Sequence, residues 1–419
     1  MTRFTRRGLI GAATATLALP HLLRAQTLAR VVIVGGGFGG AAVARLLKAA
    51  DPALRVTLIE AAPTHTTCPF SNAVLGGLTT LEEITFGYDA LRAGGIDVVT
   101  AMASGIDPVA KTLQAGGTTI AYDFLVLSPG ISFNYAAISG YSAEVADSVM
   151  PHAWQAGAQT ALLARQIDAM PQGGTYAIAI PAPPFRCPPG PYERISLVAH
   201  RLKTVNPTAK ILVLDAQDGF SKQPLFEEAW ARHYPGMITR IPAAESGAVI
   251  EVDAATGRVS TAFDDFHPDV ANIIPPQKAG RIVLDAGLDD GLGWAPVHAL
   301  TFESTLAPDI FILGDAAVAG EMPKSAFSAH VQAAVVSGAI LARMAGRTPE
   351  NSKLLNTCYS LVAPDDGISI AHVFERGDSI TLVERDNRTT PLGADPAHHA
   401  AEAAYARAWY ANITARTWG

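Results

Sequence analysis

Residues 30–40, Arg-Val-Val-Ile-Val-Gly-Gly-Gly-Phe-Gly-Gly, constrain the fold of this chain more than any other segment. A short β-branched run enters a glycine-rich turn, and an alanine- and leucine-rich helical segment, 41–49, leaves it. A second β-branched run, 55–59, ends at Glu60, 20 residues after Gly40. Strand, glycine turn, helix and distant acid together make the dinucleotide-binding fingerprint, which glycine spacing alone would not establish. Gly35 permits the tight turn, Gly37 lets the backbone approach a pyrophosphate, and Gly40 lets helix pack on strand. The pyrophosphate then meets the helix N-terminus. Glu60 offers its carboxylate to the adenosine ribose hydroxyls.

The rest of the chain must be large enough to complete such a unit, and its 419 residues allow two to three domains at roughly 100–200 residues each. Apolar residues make up 49% and charged residues 16%, which excludes a disordered chain. The 31 basic residues are outnumbered by 38 acidic ones, for a net charge of −7, and no basic run occurs. That balance argues against nucleic acid and against an anionic membrane as partners. The three cysteines are far apart, so no Cys-x-x-Cys zinc, redox or haem-attachment motif exists. His65, His298 and His330 lack metal-ligand spacing and read as structural; no metal site is expected.

The first residues carry a different signal. Arg6 and Arg7 precede an apolar run, 9–23, that is shorter than the roughly 20 residues needed to cross a bilayer. This is the pattern of a twin-arginine export signal over residues 1–25, an address for periplasmic proteins. Cleavage near Ala25 removes Arg3, Arg6, Arg7 and Arg24, leaving 27 of the 31 basic residues against 38 acids, a net of −11. A mature chain this acidic, with no integral membrane segment expected, would attract a basic partner.

Beyond the fingerprint, residues 122–129 read as a buried strand ending at Gly130, and 175–180 as a parallel strand opening a second dinucleotide-like half. A nicotinamide site would place another glycine loop after that strand. The chain instead reads Pro-Ala-Pro-Pro-Phe-Arg-Cys-Pro-Pro-Gly over 181–190, and prolines have no N–H with which to cradle a pyrophosphate. The half keeps the fold and loses NAD(P)H. Residues 210–214 read as a strand, and the stretch onward to Pro276 as irregular. A strand over 307–317 brings Asp315 to its carboxyl end, where it can accept from flavin ribitol hydroxyls or cap a helix. Residues 325–344 read as a helix whose N-terminus favours a reduced, anionic flavin. Strand-like alternation follows over 368–373 and 380–383, before an aromatic tail.

These residues resemble the flavin-binding subunit family of flavocytochrome c sulfide dehydrogenase, among the flavoprotein disulfide reductases with two dinucleotide folds. The likeness runs over essentially the whole chain. It rests on the glycine loop, Thr-Cys-Pro-Phe-Ser-Asn over 67–72, the segment 186–194 around Cys187, Gly314-Asp315, Asn-Thr-Cys-Tyr over 356–359, and the tail 408–414. It implies an α/β fold with two Rossmann-like domains, an FAD domain (27–140 and 282–347) and an NAD-like domain that has lost NAD binding (141–281). A C-terminal α+β interface domain (348–419) would follow. It implies FAD bonded covalently through its 8α carbon to the sulfur of Cys68, with Asp315 and Lys324 also holding the cofactor, and a redox-active disulfide between Cys187 and Cys358. A c-type cytochrome subunit would complete a heterodimer. Glu193 matches an acid beside the disulfide that can shuttle protons, the alternative being a surface carboxylate; Trp409 matches a tail tryptophan near the flavin, the alternative being a packing role alone.

The implied chemistry suits the residue types. Hydrosulfide is a soft nucleophile, and attack on a disulfide leaves a persulfide on one cysteine and a thiolate on the other. Cys187 is taken as the sulfur first attacked and Cys358 as the one nearer the flavin. Three alternatives stay open: a sulfide:quinone oxidoreductase, an NADH-dependent flavoprotein reductase disfavoured by the proline-filled turn, and a non-catalytic flavoprotein assisting sulfur-oxidation partners.

Overall fold

The computed structural model describes residues 29–378 and 381–419, so the export-signal segment lies outside the described residues. Arg30–Val34 forms the centre of a five-stranded parallel sheet because its side chains are apolar on both faces, as strands covered by helices on both sides must be. It pairs with Arg55–Glu60 on one side and Phe124–Leu127 on the other, and Asp97–Thr100 and Ile310–Ile312 complete the edges. The helix Gly40–Ala50 buries Ala41, Ala42, Val43, Ala44 and Leu47 against this sheet.

Gly40 is fixed by that packing. A Cβ there would lie 2.0 Å from the Gly35 carbonyl oxygen and 3.1 Å from Ile33 Cγ2. Backbone cannot step aside as a side chain can, so Gly40→Ala should destabilise the protein by about 3 kcal/mol, the upper range for overpacking. Urea unfolding checks this, and a midpoint within error of the wild type would show that helix and strand are not in contact there.

A second parallel sheet holds Ile238–Ile241, Lys210–Asp215, Thr175–Ile180 and Val270–Ile273 in that order. The chain passes between the two sheets along Ile131–Phe133 and returns along Gln277–Ala279, and these strands pair antiparallel. A third, antiparallel sheet follows from Leu354–Ala363, Asp366–Arg376 and Leu382–Thr389. Val362 and Ile368 of this sheet belong to the apolar core around the second sheet. The architecture is therefore α/β, with two Rossmann-like parallel sheets and an antiparallel sheet beside them.

Several sequence expectations change. The strand expected over 307–317 is only Ile310–Ile312, because Gly314–Ala316 turns as a 3-10 helix at Gly314 with φ +73°. Asp315 lies within that turn, and the cap of the long helix Ala326–Met344 is Ser325, whose hydroxyl accepts from the Ser328 N–H at 3.0 Å. The stretch read as irregular contains the helix Gln223–His233, strand Ile238–Ile241, small hairpins between Glu251 and Phe266, and the edge strand Val270–Ile273. The aromatic tail is one helix, Pro396–Trp418, started by Asp395 accepting from the His398 N–H at 2.8 Å. Of the strand read over 380–383, Ile380 lies outside the described residues and the observed strand begins at Leu382.

Candidate active site

A cavity of about 560 Å³ opens at the carboxyl ends of the central strands, where open α/β sheets bind ligands. All three sheets contribute to its wall. From the first come Gly35, Gly37 and Glu60, from the second Cys187 and Glu193, and from the third Cys358.

The dinucleotide end is shaped by backbone. Gly35 has φ +99°, and a Cβ there would lie 2.2 Å from the Ser128 oxygen. A Cβ on Gly37 would meet nothing nearer than the His65 ring at 3.4 Å, so that face of the loop is open to the cavity. The Glu60 carboxylate accepts from the Gly36 N–H at 2.6 Å and the Ala62 N–H at 3.3 Å while bordering the cavity. An FAD fits these residues: an open glycine cradle for its diphosphate, an oriented acid for its ribose and, across the cavity, Asp315 for its ribitol. Asp315 is paired with Arg186 at 3.6 Å, and Arg186 also donates to the Trp154 carbonyl. His65, read from sequence as structural, borders the cavity and stacks on Trp418 with ring centres 5.1 Å apart. Burial, with Arg186 adding to it, holds its pKa at about 4, so it is neutral.

Lys324 stands differently from the expectation. It is not among the residues lining the cavity. Its ammonium donates to the Asp315 and Ala317 carbonyls at 3.0 and 2.7 Å and rests 3.9 Å from the centre of the Trp294 ring. It braces the turn that presents Asp315. Gly40 likewise lies behind the wall, as its packing role requires.

At the sulfur end, Cys68 precedes the short helix Ser71–Leu75, and its thiol points toward the Trp154 carbonyl at 3.7 Å. Cys187 sits in the proline-filled turn with φ +58°, a left-handed conformation that non-glycine residues adopt at a cost. Its N–H donates to the Lys324 carbonyl at 2.8 Å, and its own carbonyl accepts from Gly190 at 2.8 Å. A Cβ on Gly190 would lie 2.9 Å from the Cys187 sulfur and 2.9 Å from the Trp154 ring, so the next helix, Gly190–Val205, starts with the one residue that leaves room for both. Cys358 comes from the middle of Leu354–Ala363, 171 residues later. All three cysteines are free thiols in the structure, and Cys187 and Cys358 are close enough that charge on Cys358 would push the Cys187 thiol up.

Glu193 is held on the cavity wall by the Asn72 amide at 2.8 Å and the Leu361 N–H at 2.9 Å. Burial raises its pKa, and these two hydrogen bonds with Lys222 and Arg194 oppose the rise only in part. A carboxyl so balanced can hold or release a proton beside the sulfurs. Trp409 also lines the cavity, parallel to Phe327 with ring centres 6.1 Å apart and tilted against Tyr359 at 6.0 Å.

Sequence reasoning assigned no role to several residues that organise this end. Arg194, 1% exposed, donates to the Asn72 side chain at 3.0 Å, to Asn272 at 3.0 Å and to the His152 and Ala153 carbonyls at 2.7 Å each, joining the two parallel-sheet halves. Asn72 and Arg194 fall inside segments 67–72 and 186–194, so their polarity beside cysteines was the available signal. Lys222 gave none. Among the described residues no cluster of His, Cys, Asp or Glu could hold a metal ion, and no helix is long and apolar enough to cross a membrane.

Comparison with known proteins accords with this geometry. Residues 160–275 match the family model for the central part of the sulfide dehydrogenase (flavocytochrome c) flavoprotein chain, and 350–418 that of the flavocytochrome c sulphide dehydrogenase flavin-binding region. Residues 29–162 match the pyridine nucleotide-disulphide oxidoreductase family. The chain is 60% identical over 45 residues to the sulfide dehydrogenase (flavocytochrome c) flavoprotein chain of Chlorobaculum thiosulfatiphilum, 11% of this chain and 94% of that sequence. It is 33% identical over 109 residues to the sulfide-quinone reductase of Aquifex aeolicus (strain VF5), 26% of this chain and 25% of that protein. In fold it is similar to the sulfide:quinone oxidoreductase structure from Aquifex aeolicus, with a TM-score of 0.72 at 19% identity, covering 93% of this chain and 92% of that one.

Proposed function

Because this chain belongs to the family of the flavocytochrome c sulfide dehydrogenase flavoprotein, a family of FAD-dependent sulfide oxidoreductases, we propose that it is a periplasmic enzyme oxidising hydrogen sulfide to sulfur or polysulfide through a Cys187–Cys358 disulfide and delivering the electrons to a c-type cytochrome subunit. The observation that supports this best is the meeting of Cys187 and Cys358 on one cavity wall together with the glycine loop and Glu60.

Bound FAD supplies a two-electron acceptor that can return electrons singly. The chain's own residues do the rest. The loop from Gly35 to Gly40, Glu60 and Asp315 hold the dinucleotide, and Cys68 is the attachment sulfur. Hydrosulfide attacks the Cys187 sulfur, the S–S bond breaks, and its electron pair leaves on Cys358. Glu193 holds or accepts the proton exchanged by the sulfur species, and Arg194 and Asn72 keep its carboxyl in place. Trp409 forms part of the wall beside Tyr359.

The acceptor is the part that separates this reading from its rivals. Five of the ten residues over 181–190 are prolines with no N–H to offer a nicotinamide diphosphate, and an exported chain with a net charge of −11 suits a basic cytochrome. Mixing the oxidised holoprotein with sulfide in a stopped-flow instrument should bleach its yellow colour without NADH. Reoxidation by a c-type cytochrome should slow as salt is raised, because surface charges are screened within about 10 Å at 0.1 M. Decylubiquinone reduced faster than cytochrome would make the chain a sulfide:quinone oxidoreductase, and efficient NADH oxidation would make it a reductase. No bleaching by sulfide would leave a helper flavoprotein.

A further inference from the structure

We propose that Lys222 and Asn356 polarise the Cys187–Cys358 disulfide, so that Cys358 is the leaving sulfur and the persulfide forms on Cys187. The proposal rests on the sulfide-oxidising reading above and adds to it the residues that decide which S atom is attacked. Two cysteines in one disulfide are chemically alike, and only their surroundings can make one the better leaving group. The leaving sulfur is the one whose thiolate is stabilised.

The surroundings here are unequal. The Asn356 side-chain amide donates to the Cys358 sulfur at 3.2 Å. Asn356 is fully buried, and its oxygen accepts from the Ser325 and Ser328 hydroxyls at 2.7 and 3.1 Å, so its amide cannot flip away without losing both. Lys222 comes from the helical half beside the second parallel sheet and reaches across to the antiparallel sheet. Its ammonium donates to the Cys358 carbonyl at 2.8 Å, the Ser360 hydroxyl at 2.9 Å and the Ile368 carbonyl at 3.4 Å. A backbone at φ +62° aims it there, and only 6% of the residue is exposed. Cys187 has no comparable side-chain donor to its sulfur among the described residues; its backbone is tied to Lys324 and Gly190 instead.

Electrostatics agree with the geometry. Burial pushes the Cys358 thiol up, and the Lys222 charge is the largest influence pulling it back, with the Asn356 hydrogen bond next. Burial also pushes the Cys187 thiol up, charges on Cys358 and Glu193 add to the rise, and Lys222 and Arg186 offset it only after these, whereas at Cys358 Lys222 is the first influence after burial. Lys222 itself is lowered to about 8 by burial, against the pull of Cys358, Glu193, Cys187 and Glu402. In the step, hydrosulfide sulfur bonds to Cys187 Sγ, the S–S bond breaks, and both its electrons go to Cys358. The hydrosulfide proton stays on the terminal sulfur. Sulfide sulfur is oxidised by two electrons and the disulfide is reduced by two, with no other reactant needed.

The test is a peptide map of the oxidised holoprotein mixed with sodium sulfide and rapidly denatured in excess iodoacetamide. In the wild type the extra sulfur should be found on the Cys187 peptide and the carboxamidomethyl group on the Cys358 peptide. Extra sulfur on Cys358 overturns the proposal without any mutant. In Lys222→Met the preference should be lost. After reduction, alkylation of Cys358 near pH 8 should then slow roughly tenfold, the effect of a cation that lowers a pKa by about one unit. Cys187 should change less, and Lys222→Arg, which keeps the positive charge, should keep Cys358 alkylation near pH 8 close to the wild-type rate. An unmoved Cys358 profile and an unchanged map in Lys222→Met assign the lysine to scaffolding and overturn its role. Extra sulfur on neither cysteine, with two free thiols in the oxidised wild type, removes the disulfide reading itself, an outcome distinct from persulfide formation without preference.

Discussion

Cys187→Ser and Cys358→Ser each abolish sulfide-dependent cytochrome reduction, by on the order of 10³-fold or more, and the double variant is no worse than either single. This is the expected result if the two sulfurs act as one bond, since losing either leaves nothing for hydrosulfide to attack. Both variants should keep the yellow colour, because the glycine loop, Glu60 and Cys68 lie elsewhere on the cavity wall. The replacement is nearly isosteric, so the left-handed backbone at residue 187 and the strand pairing of residue 358 with Ile370 need not change. Thiol counting under denaturing, non-reducing conditions checks the same idea independently. With Cys68 occupied by flavin, the oxidised protein should show no free thiol. A Cys187→Ser variant that oxidises sulfide at the wild-type rate would end the disulfide mechanism.

Acid precipitation of the holoprotein should leave all the yellow colour in the pellet, and Cys68→Ser should move all of it to the supernatant. The motive is position: Cys68 borders the same cavity as the dinucleotide loop, and it sits between Trp154 and the helix at Ser71 with no buried hydrophobic role to fill. A thioether survives denaturation, whereas contacts made by Gly37, Glu60 and Asp315 vanish with the fold. The native Cys68→Ser protein should still bind FAD through those contacts. Colour released from the denatured wild type would show that Cys68 is not the attachment point.

The parts of this molecule that were legible in the sequence are those whose chemistry is local. Gly35, Gly40 and Glu60 are dictated by a turn and two strands within about thirty residues, and the Thr175–Ile180 strand by a run of alternating alanine and isoleucine that ends in prolines. The helix Gln223–His233 was illegible for an equally local reason. It opens on Lys222 in a left-handed conformation with no side-chain cap, so Pro224 in the first turn stands without the capping residue that would make it a start signal. The polar network of the site failed to show for the opposite reason. Arg194 meets Asn72 across 122 positions and Lys222 meets Ser360 across 138, and no spacing rule reaches that far. Lys324 was expected on the cofactor from the family resemblance alone, and the distant Trp294 ring, with the Asp315 and Ala317 carbonyls, holds its ammonium behind the wall.

The Trp418 indole N–H donates to the Gly36 carbonyl at 3.1 Å, and its ring stacks on His65 and Phe86. The dinucleotide loop is thus covered by a residue made 382 positions after it. At roughly 5–20 residues per second of synthesis, the loop waits about 20–75 s on the ribosome before its cover exists. The order of manufacture therefore leaves the finished form of the loop to the nearly complete chain and not to the first sheet as it emerges. A pause or early stop anywhere before the helix Pro396–Trp418 would yield a chain with its glycine loop made and its cover missing.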